Sequence, residues 1–312
     1  MLQIADVEKE AHRWQAATRM VHRAHLHEHL KKTALSSEGT GPPAQLHKAT
    51  RIERVDAENA AIVLADGTTI QGDVLVGADG VHSVCRTEIS PSIQPSKTNH
   101  SAFRFLVTRE AALQNPTTKE LASTRGSMDM WYAEDRKIVM YPCADNTLLN
   151  FVCVHPAELS DATGTTGYDT NASKEKLLET FQAFEPAVQA FLQMAQPDTI
   201  KVWPLLDMKQ LPTFVRGRMA LIGDAAHPFL PHLGQGGAQA IEDGVALGTM
   251  LSRGIDKADV PARIQLYNEA RYERASNIQQ WTRLAGMDGA SEDQESMADF
   301  AGISPLAFIY PV

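Results

Sequence analysis

The chain has 312 residues, a net charge of −9 and 43% hydrophobic residues. These values suit two intergrown domains or one large α/β unit, and they weigh against a nucleic-acid or anionic-membrane partner, either of which calls for a basic face. No stretch approaches the roughly 20 apolar residues that span a bilayer, residues 1–20 are too polar for a signal peptide, and Cys85, Cys143 and Cys153 are too few for a disulfide framework, so the cytosol is the expected compartment.

Residues 12–35 have helical spacing of Met20, Val21, Ala24, Leu26, Leu30 and Ala34 with no internal proline or glycine. His25 and His29 on this helix are spaced i, i+4, yet no third ligand or acidic partner is evident, so a solvated polar face is expected and no metal site. After a turn at Gly39–Pro43, Leu46–Val55 and Ala61–Ala65 alternate, and Asp66-Gly67 signals a hairpin into Thr68–Gln71. The run from Asp73 reads as a buried strand that ends in Asp79-Gly80, with Arg86 opening a helix soon after.

From Asn99 the pattern changes to alternating strands at 102–107, 128–133, 137–141 and 147–155, which predict a mainly antiparallel sheet. Arg104 sits between Phe103 and Phe105, so alternation points it to the opposite face. If that face is a pocket, a guanidinium there suits a phenolate or carboxylate; otherwise Arg104 is a surface residue. Tyr141-Pro142 closes the third strand; the phenol either reaches a substrate oxygen or fills an interface. Cys153 and His155 read as satisfied core residues.

Lys174–Phe191 predicts an amphipathic helix interrupted at Pro186, and Thr199–Leu205 a returning strand. The stretch from Arg218 to Gly244 then organises the chain. Met219–Ile222 reads as a buried strand ending at Gly223-Asp224; Pro228 and Pro231 keep the following loop extended; Gly234, Gly236 and Gly237 leave backbone bare; Ala238–Met250 has helical spacing. The helix N-terminus presents unpaired N–H groups suited to an anion, and Asp224 at the strand's carboxyl end is placed to accept hydrogen bonds from ribityl or ribose hydroxyls. A long charged helix over 260–283 and an acidic, loose tail from Asp288 complete the chain.

The Gly223-Asp-Ala-Ala-His-Pro228 run with Pro231-x-x-Gly-Gln-Gly236 resembles the second flavin-binding motif of the single-component FAD-dependent aromatic hydroxylases, the salicylate-hydroxylase-like and para-hydroxybenzoate-hydroxylase-like monooxygenases. The resemblance extends over residues 18–285 and implies an α/β chain with α+β elements: a glutathione-reductase-like FAD-binding fold in residues 1–98 and 206–285, a substrate-binding sheet in 99–205, and a tail in 286–312. It implies that Asp224 and the helix start at Gly234, Gly236 and Gly237 hold FAD, that Arg23 in His22-Arg23-Ala-His-Leu26 reaches its phosphates, and that Asp79 belongs to a motif shared between FAD and nicotinamide functions. Arg104 and Tyr141 then position an aromatic substrate that is oxygenated with NAD(P)H and O2. Some relatives carry a basic histidine where this chain has Lys137, which speaks against a histidine base there. The family's opening βαβ unit, with Gly-x-Gly-x-x-Gly, has no match, so the expected fold lacks that unit and exposes the strands beside it. Two other readings stay open: a non-catalytic flavoprotein remnant or scaffold, and a flavin-dependent epoxidase or reductase.

Overall fold

The computed structural model describes residues 2–4, 19–39, 41–160 and 170–287. After β1 (Leu2–Ile4) and α1 (Arg23–Leu35) come the short strands β2 (Ile52–Asp56), β3 (Ala61–Leu64), β4 (Thr69–Gln71) and β5 (Leu75–Gly77). The long strand β6 (Ser96–Thr108), helices α2 (Arg109–Gln114) and α3 (Lys119–Ser123), and strands β7 (Met128–Tyr132), β8 (Lys137–Cys143) and β9 (Leu148–Pro156) follow. Then come β10 (Thr170–Asn171), α4 (Lys174–Thr180), α5 (Pro186–Met194), β11 (Lys201–Asp207), β12 (Val215–Arg216), β13 (Met219–Leu221), α6 (Gly236–Met250) and α7 (Val260–Met287).

The chain forms two compact units, residues 1–46 with 98–205 and residues 47–97 with 206–312. The first is built on a seven-stranded sheet of order β1-β7-β8-β9-β6-β11-β10. Strands β7, β8, β9 and β6 pair antiparallel in unbroken register, for example Phe105 opposite Phe151 and Phe151 opposite Met140. Alternation therefore sorts their side chains cleanly. One face carries Phe103, Phe105, Trp131, Ile138, Met140, Phe151 and Cys153 into a core completed by Leu177, Phe181, Phe191 and Leu192 from the α4–α5 region. Phe105 and Phe151 stack at 4.8 Å, and Phe103 stacks on His155 at 4.4 Å. The α4–α5 break falls at Pro186, which opens α5 where its missing N–H costs nothing.

The second unit holds a β2-β3-β4 meander and a three-stranded sheet of order β12-β13-β5, in which β13 and β5 run parallel. Gly67, at φ +86°, makes the β3–β4 turn, with Asp66 accepting from the Thr68 amide at 2.9 Å. Leu221, Phe214, Cys85 and Tyr267 pack at the centre of this unit's core. Val76 of β5 is exposed at the outer edge of the described sheet.

Several elements differ from the sequence reading. α1 begins at Arg23, buries none of its residues and leaves Val21 and Leu30 exposed; the expected turns over 12–18 lie outside the described residues, as does the tail from 288. The expected strand from Leu46 shrinks to β2, because Ala49 takes φ +52° in a turn. Arg86 lies in a 3-10 turn, Cys85–Glu88, rather than opening an α-helix. Strand β8 runs through Pro142 to Cys143: β7 pairs only with Lys137–Met140, whereas β9 pairs on to Cys143, with Pro142 opposite Leu149.

Candidate functional site

In the second unit, β5 and β13 are parallel neighbours, and each empties at its carboxyl end into an acid-bearing loop: Gly77-Ala-Asp79-Gly80 after β5 and Gly223-Asp224 after β13. Gly80 at φ +78° and Gly223 at φ +58° adopt backbone that L side chains resist. The Arg86 side chain is fully buried and ties the loops together, donating to the carbonyls of Val81 at 2.5 Å and Ala225 at 3.2 Å. Burial pulls its pKa down, with the Asp79 charge acting against that. Asp79 accepts from the Ser83 hydroxyl at 2.5 Å and from the amides of Val84 and Cys85 at 2.8 and 3.1 Å. Partial burial alone would raise its pKa; these three hydrogen bonds outweigh it and hold the carboxyl below the usual aspartate range. Asp79 thus organises its own loop; both it and Asp224 are exposed.

The loop after Asp224 leads to α6, whose start has no side-chain cap. Gly234 closes the preceding turn at φ +63°, and a methyl group added at Gly237 would meet nothing within 4 Å. The first turn of α6 therefore offers bare amides beside open space.

Behind this start lies a buried charge network. Asp243 of α6 accepts from the Gly223 amide at 2.9 Å, His227 at 2.7 Å and Arg271 of α7 at 2.8 Å. Burial works to raise the Asp243 pKa, but the His227 hydrogen bond and charge, the Gly223 amide and Arg271 together hold it low. Arg271 also donates to Gln239 at 2.6 Å and, with Arg274, pairs with Glu242. The network fixes the Gly223 loop, α6 and α7 as one rigid cradle.

In the first unit, the sheet face opposite the aromatic core carries Arg104, Leu106, Val139, Tyr141 and Val152, all half-buried, with Asn150 buried among them by register. Arg104 donates to the Tyr141 oxygen at 3.3 Å, and its guanidinium lies 5.6 Å from the ring centre of Trp203 in β11. The phenol hydrogen stays available to a further acceptor. His22, just before α1, is half-buried; burial, then His25 and Arg104, push its pKa down. Arg23 is exposed at the first position of α1.

The structure thus joins Arg104 with Tyr141 in one unit, and the loops of Asp79 and Asp224 with the Gly234–Gly237 turn in the other. The sequence reading missed Asn150, Trp203, Asp243 and Arg271. Asn150 did leave a signal, as the one polar residue in the apolar run Leu148–Val154. Among the described residues, no three His, Cys, Asp or Glu side chains gather as a metal site, and no helix is long and apolar enough to cross a membrane.

Residues 9–282 match the model of a protein family described as an FAD binding domain. The chain belongs to the FAD-dependent aromatic hydroxylase family. This flavoprotein is 33% identical to hispidin-3-hydroxylase of Neonothopanus nambi over 272 residues, covering 83% of this chain and 64% of that protein. It is 35% identical to the FAD-dependent monooxygenase cfoG of Aspergillus candidus over 264 residues, covering 83% of this chain and 60% of that one. The chain therefore spans less than two thirds of the length of these two relatives. A solved salicylate hydroxylase substrate complex superposes with a TM-score of 0.70 at 27% identity, covering 93% of this chain and 76% of that chain.

The flavoprotein's donor set fits FAD. The exposed Asp224 carboxylate suits ribityl hydroxyls, and the uncapped, side-chain-free start of α6 suits the electron-rich edge of a flavin ring.

Proposed function

We propose that the chain is an FAD-dependent monooxygenase that hydroxylates a phenolic or related aromatic small molecule, taking electrons from NAD(P)H and oxygen from O2. The observation that carries this reading is the Arg104–Tyr141 pair, a cation and a phenol 3.3 Å apart on a half-buried sheet face. Family membership supplies the flavin.

When bound, FAD supplies the oxygen-transfer chemistry. Asp224 would hold its ribityl hydroxyls, the amides of Gly236 and Gly237 would stabilise negative charge on its ring, and Arg23 would pair with its phosphates. Asp79 would act indirectly, keeping the β5 loop in shape. Arg104 would orient the substrate's phenolate or carboxylate, and Tyr141 would donate its hydroxyl hydrogen to a substrate oxygen. Leu106, Val139 and Val152 would keep water from the reacting ring, which matters because water diverts oxygen transfer. The three cysteines are free and buried, which supports a cytosolic setting.

The test is to load the purified chain with FAD and follow NAD(P)H oxidation across a panel of phenols, with mass spectrometry of products. Stimulated oxidation with a product heavier by one oxygen is expected. A flavin-loaded chain that oxidises no NAD(P)H with any phenol would overturn the reading.

A further inference from the structure

Asn150 lies on the same sheet face as the Arg104–Tyr141 pair, yet its polar side chain is unexplained. The register sets it directly opposite Tyr141 on β8 and Leu106 on β6, and Arg104 is one diagonal step away. It is only 6% exposed, and its Nδ2 is buried with no hydrogen-bond partner. On the same face Arg104 Nε is likewise buried and unpartnered. Buried donors are ordinarily satisfied, and these two, one of them the cation's own Nε, form with the neighbouring phenol a donor-rich patch that lacks its acceptors. Among the described residues of β6 to β9, the register puts no Asp or Glu on this face that could supply them.

We infer that Asn150 is a substrate-orienting donor, and that the ring taken by this face carries two oxygen-bearing substituents, one for the Arg104–Tyr141 pair and a second for Asn150. The inference rests on the proposed hydroxylase reading and narrows it: a singly substituted phenol satisfies half of the donor set, whereas a hydroxyaryl carboxylate or a dihydroxylated ring satisfies it all. Asn150 takes no part in the oxygen transfer. It fixes which ring edge is presented, so its loss affects binding and the position of oxygenation more than the turnover of a ring already held.

The experiment titrates phenol, benzoate and the three hydroxybenzoates into the FAD-loaded chain without NAD(P)H, following tryptophan fluorescence, with Trp203 beside Arg104 as a built-in reporter. The expected result is that at least one hydroxybenzoate binds the native chain ten-fold or more tightly than benzoate. Asn150→Leu and Asn150→Ser should lose that preference while binding benzoate as before. Because Asn150→Leu also deletes an idle buried donor, its ligand-free melting temperature should hold or rise. A hydroxybenzoate preference that survives both substitutions, an absent preference in the native chain, or a fall of several degrees in the melting temperature of both variants would each overturn the inference. Failure of the hydroxylase reading shows separately, as missing NAD(P)H oxidation with the titration pattern intact.

Discussion

Arg86 Nη1 donates to the Ala225 carbonyl at 3.2 Å, so one buried side chain joins two acid-bearing loops 139 residues apart in sequence. Its acceptors are carbonyls, which need the guanidinium fork rather than a point charge. Arg86→Leu should leave those carbonyls unpaired and destabilise the chain by about 3 kcal/mol. Arg86→Lys should recover little of it. Urea unfolding checks both, and a loss below about 0.5 kcal/mol for Arg86→Leu would show that the loops hold together without the strut.

Gly237 is the position at which folding and the proposed flavin binding can be tested separately. Since nothing lies within 4 Å of an added Cβ there, Gly237→Leu should fold normally and even gain about 0.5–1 kcal/mol of helix propensity. The same side chain would stand in the space assigned to the flavin, so FAD affinity should fall ten-fold or more. Flavin fluorescence quenching reads the affinity; normal binding would move the flavin away from the α6 start.

Asp243 is the acceptor of three donors at once. Asp243→Asn should cost about 3–5 kcal/mol by leaving Arg271 buried with a weakened partner. Because the native carboxyl has a lowered pKa, its contribution is present above the unfolded aspartate pKa and is lost as pH falls through the folded one. The native chain should therefore lose stability below about pH 4, and the variant should lack that limb of the acid unfolding curve.

His155 predicts a second, milder acid limb. Burial pushes its pKa down to about 4, overcoming the hydrogen bond to the Cys153 carbonyl, while Arg136 and His100 add to the fall. The fold favours the neutral ring, so this contribution is complete above the unfolded value of 6.5 and drains away as pH drops toward 4. It amounts to about 3 kcal/mol at most. His155→Phe, which keeps the stack on Phe103, should flatten stability between pH 6.5 and 4. An unchanged slope in thermal melts would mean that the ring titrates as if exposed.

Arg104→Gln should raise KM about 10- to 100-fold, the worth of a charge-assisted hydrogen bond of about 1.5–3 kcal/mol. Tyr141→Phe should raise it about five-fold, near 1 kcal/mol. Steady-state kinetics on any accepted phenol measures both; KM values within two-fold of native would remove the pair from substrate binding.

The sheet was legible in the sequence because a period of two is a local signal: the strands around Arg104, Met130, Val139 and Val152 appear close to where alternation put them. The split between α4 and α5 was legible in Pro186, and the turns before α6 in Gly223 and Gly234, both of which take positive φ. What stayed hidden depends on partners far away in the chain. Nothing near Arg86 announces that its acceptors include Ala225, and nothing near Asp243 announces Arg271. Asn150 could be seen as an oddity but not assigned, since its neighbours Tyr141 and Leu106 come from other strands. Among the described residues the helix was over-read at 19–22, which precede α1, because apolar spacing marks a period without fixing where the helix starts.

The unbroken pairing of β6 to β9 has an evolutionary corollary. Since no bulge shifts the alternation, Phe105 and Phe151 answer to the core while Arg104, Val139 and Val152 stand on the opposite face, the one proposed to take the ring. Selection can thus rewrite the choice of aromatic one position at a time, on every second residue, without disturbing the packing on which folding depends.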